Sequence, residues 1–394
     1  MKPFEIKPDI YWIGALHPDL RVFDIIMRTK NGTTYNSYLI KDESVAIVDT
    51  VKAKYSNQYL DHIASLVDPA AIKYVIIQHT EPDHSECLGP LLEFAPEARV
   101  VCARTAAKYV GNILNREVNP ILAENNSTIN LGKRTLRFFS TPFLHWPDTM
   151  MTFVEEEKLL FPCDVFSSHF CDSRMFNDVI TRDFWPDFKY YFDMIIRPYK
   201  KHMRNALKKI TPLEIEMLAP SHGPILRTEI EKYMRAYEEW SAPATVNEPK
   251  KVIIYYASAH GNTQKMAEKI VEGLESKGVY VQVFDAMTVN VMEHLDRIEE
   301  ADALVLGSPT INNDVVKPIW DVLNSLTTID VKGKVGACFG SIGWSGESVK
   351  LLEERMNAMK FKLPLPAITS ELVPSEDDLQ KCFDFGVQLA EELG

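Results

Sequence analysis

Five times between Lys251 and the C-terminus a short apolar run gives way to a helical pattern, and this alternation limits the possible folds more than any other feature of the chain. The runs are KVIIYYA, VYVQVFDA, ALVLGS, KVGACFGS and LPLPAITSELV. Helical patterns begin near Thr263, at VMEHLDRIEE, KPIWDVLNSL and ESVKLLEERMNAMK, and after Ser375, where Asp378 three residues on gives a capping-box-like start. Strands separated by helices cannot pair as hairpins, so they lie parallel in a sheet covered on both faces. The segment is predicted to be a doubly wound α/β domain, a class that binds ligands at the carboxyl ends of its strands.

The first 250 residues are ordered differently. They open with the strand-like runs DIYWIGAL, RVFDIIMRT, TYNSYLI and SVAIVDT and alternate with helices only afterwards, which predicts a mixed α+β sandwich. Between the two lies SAPATVNEPK, residues 241–250, with two prolines and no apolar period. It follows an amphipathic helix, so the boundary is expected near residue 248, giving domains 1–248 and 249–394. A chain of 394 residues has room for both cores.

The formal charge is −12, and residues 251–394 hold 13 Lys and Arg against 22 Asp and Glu, so the acidity is mainly C-terminal. A polyanion would meet net repulsion, and no nucleic-acid partner is expected. The N-terminus MKPFEIKPDI has no apolar leader core, and no run approaches the ~20 apolar residues of a membrane span, so a cytoplasmic location without membrane insertion is expected. The six cysteines are scattered with no CxxC pair, which points to reduced thiols and neither a disulfide framework nor a paired-cysteine metal module.

Chemistry concentrates where the apolar run KYVIIQ meets His79-Thr80-Glu81-Pro82-Asp83-His84. Pro82 disfavours helical backbone at Glu81 and is expected to keep the segment out of helix; in extended backbone His79 and Glu81 share one side, leaving Asp83 and His84 for a second centre. His145 after LRFFSTPFL, Asp164 after KLLFPC and His222 after IEMLAPS each stand just past an apolar run, so strands ending at a common edge would bring them together. Four imidazoles and three carboxylates in one pocket require cations, and a dinuclear metal centre is the economical reading. Hard carboxylates mixed with imidazole suit iron, manganese or zinc.

The HxExDH string, LHWPDT around His145, CDVF around Asp164 and APSHG around His222 resemble the metallo-β-lactamase-like fold. Hydrolases of that fold typically carry HxHxDH and zinc, whereas glutamate at the third place, here Glu81, is similar to the flavodiiron proteins. The resemblance implies a metallo-β-lactamase-like αββα sandwich followed by a flavodoxin-like domain, over essentially the full length. It also implies that His79, Glu81 and His145 ligate one iron, that Asp83, His84 and His222 ligate the other, and that Asp164 bridges them.

Three loops of the second domain fit a flavin. Ser258-Ala259-His260-Gly261-Asn262-Thr263 follows the first strand and opens the first helix, where hydroxyls, a glycine and free amides suit a phosphate dianion. No GxGxxG is present, so a mononucleotide is favoured over a dinucleotide. Ser308-Pro309-Thr310-Ile311-Asn312-Asn313 and Gly340-Ser341-Ile342-Gly343-Trp344-Ser345-Gly346 supply amides and hydroxyls for an isoalloxazine edge, with Trp344 expected to cover the ring. These segments look like the FMN loops of flavodoxin-like domains, and the last two are close to the flavodiiron version.

Similarity to that family implies FMN and two non-haem irons as cofactors, with reduction of O2 to water or of NO to N2O. Electrons would come from a separate donor such as rubredoxin, since no paired cysteines are available for a fused one. Head-to-tail homodimers or dimers of dimers are implied as well. His169, five residues past Asp164, and Tyr190, at the start of YYFDMII, are the expected proton-supplying neighbours of the irons. The alternative is a dinuclear zinc hydrolase with an accessory flavodoxin-like domain, against which Glu81 and the flavin loops weigh.

Overall fold

The computed structural model describes residues 1–244, 246–343 and 345–394. It divides into two compact units, Met1–Ala242 and Pro243–Gly394. The expected ring-covering residue, Trp344, lies outside the described residues.

In the first unit the strand Ile72–Ile77 explains the site. Its last three residues, Val75, Ile76 and Ile77, are fully buried, as a central parallel strand requires. It pairs in parallel with Val45–Val48 on one side and Arg99–Ala103 on the other, inside a seven-stranded sheet. Phe4–Lys7, Ile10–Trp12 and Tyr38–Ile40 extend that sheet on one side with antiparallel pairings, and Ile121–Ala123 completes it on the other, parallel to Arg99–Ala103. A second, five-stranded sheet runs from Thr128–Asn130 through Thr135–Ser140, Met150–Val154 and Leu159–Phe161 to Met217–Leu218. Both sheets contribute to one hydrophobic core, with helices such as Ser56–Ala64, Ala106–Leu114 and Lys200–Ile210 packing their apolar faces on it. The chain forms the expected mixed sandwich.

Two local expectations are corrected. RVFDIIMRT is not one strand but a hairpin of Val22–Phe23 and Met27–Arg28, because Asp24 and Ile25 take positive φ (45° and 68°) and reverse the chain. Pro82 does not exclude helix: it takes the first position of a single helical turn, Pro82–Ser85, where its missing N–H costs nothing, while Glu81 before it stays extended (φ −58°, ψ 140°).

The second unit has a five-stranded sheet in the order Tyr280–Asp285, Lys251–Tyr256, Ala303–Gly307, Val335–Ile342, Ile368–Glu371, parallel throughout. Apolar clusters lie on both faces, and the helix Glu376–Glu392 begins with a full Ser375–Asp378 capping box. All six cysteines are buried and unpaired. Among the described residues no helix is long and apolar enough to cross a membrane.

Candidate metal centre and flavin loops

Each candidate ligand follows a strand: His79 and Glu81 in the loop after Ile72–Ile77 with Asp83 and His84 in the helical turn that continues it, His145 after Thr135–Ser140, Asp164 after Leu159–Phe161 and His222 after Met217–Leu218. The sandwich brings all seven together in two groups. His79, Glu81, His145 and Asp164 can converge on one point, and Asp83, His84 and His222 on another. In the first group His79 Nε2 lies 3.2 Å from Glu81 Oε2 and 3.0 Å from Asp164 Oδ2, and His145 Nε2 lies 2.9 Å from Glu81 Oε2. In the second, His222 Nε2 lies 3.1 Å from Asp83 Oδ2, and His84 Nε2 is 3.4 Å from Asp83 Oδ1. Asp164 spans the two, since its Oδ1 is 3.4 Å from His84 and 3.5 Å from His222.

The electrostatics call for metal. Burial alone would push Asp164 and Glu81 up, but the surrounding imidazoles outweigh it and hold both below the ordinary carboxylate range. Burial likewise opposes protonation of His79, His145 and His222, and the adjacent acids outweigh it, so all three are raised. Both oxygens of Asp83 and Asp164 and both ring nitrogens of His84 are buried without a hydrogen-bond partner among the described residues. A buried donor set left unsatisfied in this way fits a pair of cations.

In His222 and His79 the outer ring nitrogen is held from behind, which selects Nε2 as the inward atom. His222 Nδ1 is 2.6 Å from the Thr34 carbonyl, and His79 Nδ1 is 3.2 Å from Cys163 Sγ. Burial pushes the Cys163 thiol up to about 12, so it stays neutral. Cys163 and Thr34 escaped the sequence reading, although CDVF places the thiol directly before Asp164.

His169 is buried with its ring 5.2 Å from that of His222, its Nδ1 2.9 Å from Thr33 Oγ1 and its Nε2 unpartnered among the described residues. Burial and then His222 push it well below its ordinary value, so it is neutral at pH 7. The tyrosine beside it is Tyr191, not Tyr190: the rings of Tyr191 and His169 are 4.8 Å apart, and Tyr191 reaches within 6.1 Å of His222. Helix phase explains the difference, because Phe188 and Tyr191, three apart on Trp185–Tyr191, share the buried face while Tyr190 lies at its margin, half-buried against the core. Phe23 closes the site against His169 at 4.3 Å. Asp24 beside it is exposed as a residue, yet its carboxyl is sheltered next to Glu81 and is pushed up to about 7 by burial and by that neighbour.

In the second unit the three loops gather at the carboxyl ends of the parallel strands. Gly261 caps the helix Asn262–Ser276 with φ +79°, a conformation that suits glycine, and Ser258 Oγ accepts the Gln264 N–H. Thr263 Oγ1 and Ser341 Oγ are 2.9 Å apart, and Thr310 Oγ1 donates to Ser348 Oγ at 2.8 Å, so the loops brace one another. Asn312 and Asn313, both at positive φ, turn the small hairpin Thr310–Ile311 and Asp314–Val315. A pocket of about 260 Å³ is lined by Thr310, Ile311, Asn312, Asn313, Gly343 and Ser345. Of the remaining loop residues, Ser308 is buried, Pro309, Ile342 and Gly346 are half-buried, and Ala259 and His260 are exposed at the phosphate loop. Hydroxyls, amides and an open edge beside a helix N-terminus fit a flavin mononucleotide.

A model of the ODP family beta lactamase matches residues 33–223, and a flavodoxin model matches residues 254–386. The chain is 41% identical over 399 residues to a type A flavoprotein of Rhodobacter capsulatus, covering 99% of this chain and 92% of that one. It is 38% identical over 401 residues to a flavo-diiron protein of Clostridium acetobutylicum, covering 100% of both. Among solved structures, rubredoxin oxygen:oxidoreductase from Desulfovibrio gigas superposes with a TM-score of 0.74 at 30% identity, over 100% of this chain and 98% of that one.

Proposed function

Because the chain belongs to the flavodiiron protein family, we propose that it passes electrons from a separate, rubredoxin-like donor through FMN to a di-iron site that reduces dioxygen to water, nitric oxide to nitrous oxide, or both. It is an oxidoreductase whose cofactors are FMN and a non-haem di-iron centre. His79, Glu81 and His145 would hold one iron, Asp83, His84 and His222 the other, with Asp164 between them. What carries the reading is Glu81 among the first group's histidines, where a zinc hydrolase of this fold would place a third imidazole, in a chain that also has a flavin-binding unit.

When bound, the flavin would supply the change from two-electron to one-electron transfer, and the irons would supply binding and reduction of a diatomic gas. The protein's own groups supply geometry, exclusion of water and protons. Phe23 and Tyr35 wall the second group with apolar rings at 5.5 and 5.9 Å from His222. His169, neutral and held at Nδ1 by Thr33, has Nε2 free to exchange a proton. The Tyr191 hydroxyl, kept protonated first of all by burial, is the second proton-holding group.

A head-to-tail dimer in which one chain's flavin serves the other's irons is supported by exposed apolar side chains around each site. Val22, Ile25, Ile26 and Phe143 stand out near the metal groups. Around the flavin loops, Ile311 and Val373 are exposed, as is Leu372, whose backbone N–H donates to the Ile342 carbonyl at 2.8 Å. Unpaired cysteines are in keeping with a cytoplasmic location. The deciding experiment is anaerobic reduction followed by stopped-flow mixing with each gas: rapid reoxidation by O2, NO or both ranks the substrates, and reoxidation by neither would overturn the proposal.

A further inference from the structure

Two buried carboxylates outside the ligand set grip the backbone on either side of His79. Asp49 is 2% exposed and accepts two bonds from Gln78, the backbone N–H at 2.8 Å on Oδ1 and the side-chain amide at 3.0 Å on Oδ2. Asp148 is 1% exposed and accepts two bonds from Thr80 on Oδ2, the N–H at 2.9 Å and the hydroxyl at 2.6 Å. Its Oδ1 has no hydrogen-bond partner among the described residues. The loop therefore alternates: residues 78 and 80 are fastened to the two acids, while residues 79 and 81 face the metal point.

A neutral amide or hydroxyl could hold a turn of this kind, and burying an ion to do so is costly without a compensating charge. Neither Asp49 nor Asp148 forms a salt bridge to Lys or Arg among the described residues. The metal side is where counter-charge is available to them, and we propose that Asp148, with Asp49 as its counterpart, is a positioning residue for the first iron. It fixes the Gln78–Thr80 backbone so that His79 and Glu81 reach the metal together, and it contributes an outer negative charge to the centre. The inference rests on the iron reading above.

Asp148→Asn keeps an oxygen for the Thr80 N–H and removes the charge; Thr80→Val removes the hydroxyl half of the grip and leaves the charge in place. The measurements are melting temperature with and without metal, the rate of iron loss to excess chelator, and the midpoint potential of the iron pair by EPR-monitored titration. Metal-free Asp148→Asn is expected to melt no lower than the metal-free parent. In the iron-loaded form it should lose iron about tenfold faster, as loss of a ligand's outer partner commonly does. Its potential should rise, because removing a nearby negative charge favours the reduced centre. Thr80→Val should speed iron loss without raising the potential, and it serves as the test if the first variant fails to fold. Equal drops in melting temperature with and without metal, or unchanged iron release and potential, would overturn the proposal. A parent protein that takes up two zinc ions and no iron would instead sink the iron reading, and the grip would then stand or fall on zinc release from the same variants.

Discussion

The carboxylate of Glu81 stands 2.9 Å from Nε2 of His145, and this pair distinguishes the first metal position from an all-imidazole one. Replacing Glu81 by His restores three imidazoles around that point, so Glu81→His should shift the protein from iron toward zinc and abolish gas reduction while leaving the fold intact. Metal analysis and oxygen consumption with a chemical reductant check this. An iron-loaded variant of unchanged rate would remove Glu81 as the selector.

Purified protein is expected to carry about two irons and one FMN per chain, since the donor set forms two groups and the phosphate loop fits a mononucleotide. Metal analysis with flavin extraction measures both. Two zinc ions and no flavin, in protein made with iron available, would point to a hydrolase.

The metal-free protein should lose stability as pH rises. His79, His145 and His222 are held above their ordinary value by the adjacent acids, so their contribution is complete below about 6.5 and disappears as pH climbs through the raised values. Asp164 and Glu81 are depressed, and their contribution is lost only in strong acid, outside that window. Melting curves of chelator-treated protein from pH 6 to 9 should fall steadily, while iron-loaded protein stays level because the irons replace the protons.

Tyr191→Phe removes a hydroxyl beside His169 without touching a ligand. Turnover should drop by roughly 10²-fold with iron content unchanged, the usual scale for losing a positioned proton donor. Tyr190→Phe, at the margin of the buried face of the same helix, should leave turnover at the parent value.

Transfer between chains is open to complementation. A His79→Ala chain and a chain carrying Asn262→Asp and Thr263→Asp should each be inactive as homodimers. Isolated hybrids should be active, and should stay so on dilution, if one chain's flavin serves its partner's irons. Hybrids that hold flavin and iron yet do nothing would place transfer within one chain.

Much of this was legible in the sequence because periodicity and donor chemistry are local signals. The five parallel strands announced themselves by alternation with helices, and the HxExDH string by its density of ligands. What was not legible depends on distant contacts. RVFDIIMRT has the apolar, β-branched character of a strand, and only the left-handed Asp24 and Ile25 make it a hairpin over the site. Tyr190 and Tyr191 are equivalent in a string of letters; the packing of Phe188 decides which faces His169. Asp49 and Cys163 lie 29 and 84 residues from the partners they hold, separations over which sequence carries no pairing signal.

The six buried cysteines give the molecule a built-in reporter of its own opening. Four lie in the first unit and two in the second, so a thiol-directed label applied under native conditions can enter only through transient unfolding, and the labelled peptides reveal which unit opened. The same concealment shields the thiols from oxidants in solution, so oxidative wear should begin at exposed thioethers such as Met287 and Met292.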